Sequence, residues 1–361
     1  MPIRNPPQRI LNDQDETFML RCLEIAKNGL GTTAPNPMVG CVIVHDGCII
    51  GEGFTSAYGG PHAEVNAINS VQDKTLLREA SLYVTLEPCS HYGKTPPCAN
   101  LIIHHKIPEV VIALQDPHQK VAGKGIQKLI DSGCKVAIGI LEKECREHHK
   151  RFLTFHEKRR PYIILKWAQT LDGFIAPANG KRSNDPKPYW ITNTLSRQRV
   201  HQWRSQEQAI LVGTNTVLED NPKLDVRHWK GKNPIRIVID KALRIKGHYH
   251  VLDGSVPTLV ITQQANAAAY QKGIDYVVLD WSENIAAALC AALYERQINS
   301  VLVEGGTQTL HHFIEAGLWD EARVFIGAET FKQGLEAPRF SGRPSATQKI
   351  GQDTLNYFRN D

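Results

Sequence analysis

Apolar residues recur along the first half of the chain with two periods. Between Asp15 and Lys27 they fall at Phe18, Met19, Cys22, Leu23, Ile25 and Ala26, which predicts a helix closing at Asn28-Gly29. The next run, VGCVIVHDGCIIGEGF, is interrupted at Asp46-Gly47 and predicts a β-hairpin. After the Gly59-Gly60-Pro61 break, His62–Ser70 reads as a helix, and Ser81–Leu86 as a strand stopped by Glu87-Pro88. A helix from about Cys98, a strand Glu109–Leu114, a helix Gly125–Ser132 closed by Gly133 and a strand Lys135–Ile140 follow. This alternation predicts one sheet with helices on its faces.

The run LEKECREHHKRFLTFHEKRR (141–160) is charged and helix-prone, and Pro161 ends it. A second α/β pattern then begins. Its strands are PYIILKWA, AILVG (209–213), PIRIVID (234–240), TLVIT (258–262), YVVL (276–279), SVLVEGG (300–306) and ARVFIG (322–327), with an Ala-rich helix over 285–296. The polar tail from about Arg339 carries one apolar cluster, Leu355-Asn356-Tyr357-Phe358, which would add a last strand. No repeat of the first half is visible. The expectation is two different α/β domains, 1–148 and 161–361, joined by a linker over 149–160.

Composition narrows the class. With 42% hydrophobic residues in 361, the chain has material for more than one core. No run approaches the ~18 apolar residues of a membrane span, and MPIRNPPQRI at the start lacks the apolar stretch of a signal peptide. A soluble cytoplasmic protein without membrane contact is expected. Lys and Arg exceed Asp and Glu by 42 to 37, but the basic residues are scattered, with KRR at 158–160 the densest group. That is a solvated surface rather than a nucleic-acid footprint. Eight cysteines in a chain of this length fit a reduced compartment, so paired ones read as metal ligands rather than bridges.

His62-Ala63-Glu64 opens a predicted helix; Pro88-Cys89 follows a strand; Cys98 comes after Pro96-Pro97. One His and two Cys give zinc three protein ligands and leave its fourth position for water, the pattern of a catalytic site. A Glu two residues beyond the His is the proton shuttle of the zinc deaminases, not a ligand. The HxE pair alone is a weak signal and the PC pair weaker; in this order, each after a chain break, they are strong. Eight residues separate the two cysteines instead of the usual two. Cys22, Cys41, Cys48, Cys134, Cys145 and Cys290 have no such context and read as core or inert thiols.

That longer insert carries a resemblance. TAPNPMVG (33–40), PHAEVNAI (61–68) and TLEPCSHYGKTPPC (85–98) resemble the deaminase half of the bifunctional riboflavin-biosynthesis deaminase–reductases. The resemblance implies a cytidine-deaminase-like α/β/α sandwich with zinc on His62, Cys89 and Cys98, and Glu64 as the catalytic proton shuttle. It implies Asn36, His91, Lys94 and Thr95 as the lining of a pocket for a phosphoribosylaminopyrimidine. Asn36 offers both donor and acceptor to a ring edge, and Lys94 a point charge to a phosphate.

The second half has no G-x-G-x-x-G after its first strand, which argues against an ordinary dinucleotide fold. It has ILKWAQTLDGFIA, YWIT, Trp203-Arg204, VGTNTVLEDNPKLDVR and VEGGTQTLHHF. Gly305-Gly306 ends an apolar strand before a helix, where free N–H groups can bind phosphate. These segments resemble the reductase half of the same family, a dihydrofolate-reductase-like α/β domain. The resemblance implies NADPH against Trp190, Thr216, Asp220, Gly305 and Gly306, and phosphoribosyl substrate against Lys166, Arg204, Leu224, Arg227 and Glu304. Arg204 and Arg227 suit phosphate because guanidinium forks bind its oxygens in pairs.

Two departures stand out. The Lys181–Tyr189 stretch is longer and richer in proline than the family's turn, and Lys241 stands where the family commonly has a small hydroxyl near the cofactor. The implied activity is zinc-dependent deamination of the ring followed by NADPH reduction of the ribosyl group, in a homo-oligomer (dimer or tetramer). The alternative is a nucleobase or nucleic-acid deaminase with a non-catalytic C-terminal binding domain. It predicts a basic stripe interleaved with aromatics, which the sequence lacks.

Overall fold

The computed structural model describes residues 13–92, 96–117, 122–178, 186–264, 273–281, 284–339 and 342–360. The chain divides between Arg159 and Arg160 into two units. Among the described residues no helix is long and apolar enough to cross a membrane.

In the first unit the order is α1 (Asp13–Ala26), β1 (Gly40–His45), β2 (Cys48–Phe54), α2 (Ala63–Ser70), β3 (Ser81–Val84), α3 (Cys98–His104), β4 (Glu109–Ile112), α4 (Lys124–Asp131), β5 (Lys135–Ile138), α5 (Glu142–His148) and α6 (Lys150–Lys158). The sheet runs β2-β1-β3-β4-β5, with β1 antiparallel to both neighbours and the rest parallel. Asp46 and Gly47 both have positive φ, the turn a two-residue hairpin demands. Glycines show which helix covers which face. A Cβ on Gly40 would lie 1.9 Å from the carbonyl of Cys22 on α1. A Cβ on Gly53 would lie 2.3 Å from the Ala67 nitrogen of α2. Cys41 pairs with Gly53, so alternate residues of β1 face α1 and α2, and its interior residues are buried.

The expected linker over 149–160 is a correction. Cys145, His149, Phe152 and Leu153 recur at helical spacing and are all buried; the three apolar ones belong to the first unit's core. Charge on the other face of α6 hid this stripe. The chain crosses at Arg159, in left-handed conformation, and Arg160, whose guanidinium forks onto Asp320 at 2.6 and 2.7 Å.

The second unit contains β6 (Tyr162–Gln169), β7 (Phe174–Pro177), α7 (Thr194–Gln206), β8 (Ala209–Gly213), α8 (Thr214–Asp220), β9 (Ile235–Ile239), β10 (Thr258–Thr262), β11 (Ile274–Val278), α9 (Ile285–Glu295), β12 (Ser300–Val303), α10 (Thr307–Glu315), β13 (Glu321–Ile326), β14 (Gly334–Glu336), β15 (Ala346–Ile350) and β16 (Asp353–Arg359). Its main sheet runs β11-β10-β9-β8-β12-β6-β13-β16-β15, parallel as far as β13. The tail supplies two antiparallel strands rather than one. Both faces are covered: Ile163, Leu165 and Trp167 of β6 join the core containing α9 and α10, while Tyr162 and Ile164 join Val200 and Trp203 of α7.

Strand order fixes where a ligand can sit. From β8 the chain moves outward to β9; from β12, inserted between β8 and β6, it crosses to β13. The carboxyl ends of β8 and β12 thus form a topological switch point, where open parallel sheets leave a crevice.

Candidate metal centre and dinucleotide crevice

His62 is the N-cap of α2, Cys89 follows the β3 strand, and Cys98 is the first residue of α3. The His62 Nδ1 lies 3.6 Å from the Cys89 Sγ and 3.4 Å from the Cys98 Sγ. Among the described residues these three are the one group whose ligand atoms converge, all within 4.8 Å of one another. Tetrahedral zinc with bonds of about 2.3 Å to sulfur and 2.0–2.1 Å to nitrogen places such atoms roughly 3.6 Å apart. The donor set and its spacing therefore fit zinc.

Titration follows from this crowding. Cys98 hydrogen-bonds Cys89, which brings the Cys89 thiol down to about 4 and drives Cys98 up. The hydrogen bond with Cys89 raises His62. Glu64, in the first turn of α2 and 3% exposed, is pushed up to about 7, first by burial and then by Cys89. A carboxyl there is balanced between its two protonation states near neutral pH.

The loop carrying Asn36 is stitched to the segment entering α2. Thr55 donates its N–H to Val39 and accepts the Val39 N–H, and the Tyr58 N–H donates to Thr32. Asn36 is half-buried and His91 exposed; Lys94 and Thr95 lie outside the described residues, as do 181–185 of the Lys181–Tyr189 stretch.

Sequence reasoning missed two features. His148 Nε2 lies 2.7 Å from the Met38 carbonyl, and His149 Nε2 lies 3.0 Å from Thr85 Oγ1, tying α5 and α6 to the loops around the site. Burial lowers both imidazoles, so they stay neutral at pH 7. Glu87, read only as part of a strand stop, is a buried carboxylate accepting backbone N–H groups from Asp116, Gly123, Gly125 and Ile126.

In the second unit, Glu304 at the end of β12 receives both Arg204 nitrogens at 2.8 Å, and the Lys166 ammonium of β6 lies 3.8 Å away. Burial opposes the Glu304 charge, but Arg204 and Lys166 outweigh it and hold the carboxyl at about 2. Arg204 also donates to the Asp225 carbonyl, and Arg227 pairs with the Asp225 carboxylate. Leu224 has a φ of 53° and is buried, so the DNPKL loop turns through a left-handed residue anchored in the core. His201, unmarked in the sequence, accepts the Arg227 N–H at 3.3 Å. Burial, then Arg204 and Arg227, lowers His201 to about 4.

At the crevice, Gly305 has a φ of 129°, reserved for glycine, and a Cβ on Gly306 would lie 3.3 Å from Thr216 Oγ1. Gly305, Gly306 and Thr216 thus line one narrow cradle before α10. Asp220 closes α8, half-buried, and Trp190 is half-exposed with Arg197 stacked 4.8 Å over its ring. Glycines at the entry to a helix leave backbone N–H groups open to an anionic group such as a phosphate.

Comparison with known proteins agrees with this geometry. The model of the cytidine and deoxycytidylate deaminase zinc-binding region matches residues 12–114, and that of the RibD C-terminal domain matches 161–339. The riboflavin biosynthesis protein RibD of Aquifex aeolicus (strain VF5) is 38% identical, covering 97% of this chain and 99% of that protein. RibD of Escherichia coli (strain K12) is 37% identical over 87% of each. The crystal structure of a diaminohydroxyphosphoribosylaminopyrimidine deaminase/5-amino-6-(5-phosphoribosylamino)uracil reductase from Thermotoga maritima superposes with a TM-score of 0.86 at 39% identity, covering 96% of this chain and 98% of that one. Acinetobacter baumannii RibD gives 0.84 at 33% identity, with the same coverage. With the second half matched by the RibD C-terminal domain, the alternative of a non-catalytic binding module is not favoured. With a cytidine-deaminase-like half and a reductase half in one chain, the protein belongs to the RibD family, the bifunctional zinc-dependent deaminases and NADPH-dependent reductases of riboflavin biosynthesis.

Proposed function

We propose that His62, Cys89 and Cys98 hold the zinc and that Glu64 is the catalytic acid–base of the deaminase. The observation that carries this is the convergence of three ligand atoms within 4.8 Å beside a buried carboxyl pushed up to about 7. When bound, zinc supplies Lewis acidity that lowers the pKa of water from ~15.7 toward ~7. Glu64 takes the proton lost by water and delivers it to the departing amino nitrogen, so that water is consumed and ammonia released. Asn36, His91, Lys94 and Thr95 would bind the aminopyrimidine and its ribose phosphate; the stitched loop supports this for Asn36.

In the second unit, NADPH supplies the hydride. Gly305, Gly306 and Thr216 would cradle its pyrophosphate, with Trp190 and Asp220 flanking it. Lys166, Arg204, Leu224, Arg227 and Glu304 would face the phosphoribosyl group. Their pairing would also orient the cofactor. Lys166 on β6 and Glu304 just after β12 lie on one side of the switch point, so the adenosine end of a bound cofactor would be held on the other, by residues following β8 and β9. Lys241, just beyond β9, would meet the 2′-phosphate there. A cytoplasmic location and self-association into a dimer or tetramer complete the reading; exposed Leu171, Leu195 and Leu335 of the second unit supply apolar surface for the latter.

The decisive experiment is Glu64→Gln in the full chain. Ammonia release should fall at least 10²-fold while zinc content and NADPH oxidation with already deaminated substrate persist. Parallel loss of both activities would refute independent sites.

A further inference from the structure

Glu87 stands outside the residues assigned to these two sites. Its side chain is 4% exposed, two residues before Cys89. One carboxylate oxygen accepts the N–H groups of Gly125 at 2.8 Å and Ile126 at 3.2 Å; the other accepts those of Gly123 at 3.0 Å and Asp116 at 3.1 Å. Its own N–H donates to the Leu114 carbonyl at 2.8 Å. One side chain therefore ties the exit of β3 to the exit of β4 and to the first turn of α4.

Two further contacts connect this clamp to the ligands. The first turn of α4 rests on Pro88 so tightly that a Cβ on Gly125 would lie 2.1 Å from the Pro88 carbonyl oxygen. The Cys98 N–H donates to the Cys89 Sγ at 3.3 Å and the Ala99 N–H to the Cys89 carbonyl at 3.1 Å, while α3 packs on α4. Cys89 is thereby held directly by the helix carrying Cys98 and, through Pro88, by the turn that Glu87 holds. A carboxylate is the side chain for this task because it accepts four hydrogen bonds and donates none. Glutamine would turn an NH2 group against two N–H donors.

We propose that Glu87 is a positioning residue of the metal centre, setting the direction of the Cys89 sulfur and hence the geometry and affinity of the site. The proposal deepens the ligand assignment above and rests on it. Outer partners that orient metal ligands typically change metal affinity by about 10–100-fold.

The test uses the full chain. Glu87→Gln should weaken zinc binding at least tenfold in chelator competition, and shift the ligand-field bands of the cobalt(II)-substituted protein. NADPH oxidation should be unchanged, because the reductase unit is not touched. A merely structural role would lower the unfolding temperature and leave the cobalt spectrum and zinc affinity at 20 °C as in wild type; that result overturns the proposal. Should Glu87→Gln fail to accumulate folded, Glu87→Asp keeps the charge but withdraws it by one methylene. The same spectral shift is expected, and a spectrum superimposable on wild type refutes it equally. Absence of zinc binding by the wild-type chain would instead overturn the ligand assignment, and the proposal with it.

Discussion

The pair formed by Arg204 and Glu304 allows a quantitative test of the second unit. Glu304 is lowered from its ordinary 4.5 to about 2 although it is buried. At 1.36 kcal/mol per unit, this corresponds to about 3 kcal/mol of native-state preference for the charged carboxylate. Removing Glu304 leaves Arg204 and Lys166 as buried cations without their carboxylate, and removing Arg204 leaves Glu304 only the Lys166 ammonium 3.8 Å away; breaking a buried pair in this way typically costs about 3–5 kcal/mol. Arg204→Met and Glu304→Leu should each destabilise the second unit by that amount. The double variant should fall short of their sum by about 2–3 kcal/mol, since it removes both charges. All six tryptophans (167, 190, 203, 229, 281 and 319) lie in this unit, so tryptophan fluorescence in a urea titration reports on it selectively. The pH dependence has a definite sign. Because the folded value lies below the unfolded one, the contribution is complete above about pH 4.5 and is lost as pH falls towards 2. The gap between wild type and Glu304→Leu should close over that window. Single variants within 1 kcal/mol of wild type, or strictly additive losses, would show that the pair does not stabilise the fold as argued.

Two other perturbations separate the units and the cofactor contacts. Gly53→Ala places a methyl group 2.3 Å from the Ala67 nitrogen, so α2, which presents His62 and Glu64, must shift; overpacking of this kind typically costs about 1–3 kcal/mol. Zinc content and ammonia release should fall while NADPH oxidation holds, and a variant retaining full zinc and deaminase rate would refute the close-approach argument. Lys241→Glu should weaken NADPH binding about tenfold or more, read by quenching of tryptophan fluorescence, with NADH binding unchanged. Equal loss for both nucleotides would remove Lys241 from the 2′-phosphate.

The sequence by itself determined the buried strands of the two large sheets, because runs such as CVIVH, AILVG and TLVIT are buried on both faces and must be apolar throughout, whereas the exposed β15 and the short β7 and β14 were not legible. It also marked His62, Glu64, Cys89 and Cys98, because a metal centre built from short motifs leaves residue types that packing alone does not explain. Tertiary structure decided the rest. Helix α7 was not legible because its buried face mixes Val200 and Trp203 with Ser196 and His201, whose polar atoms are hydrogen-bonded within the fold. The stripe of α6 was masked by charge on its outer face until Phe152 and Leu153 were seen in the first core. Likewise Glu87 meets donors more than 25 residues ahead in the chain, and Arg204 meets Glu304 across 100 residues. Sequence periodicity records how each segment divides between core and water. Which polar groups answer one another once buried depends on how the strands are ordered, and only the folded chain sets that.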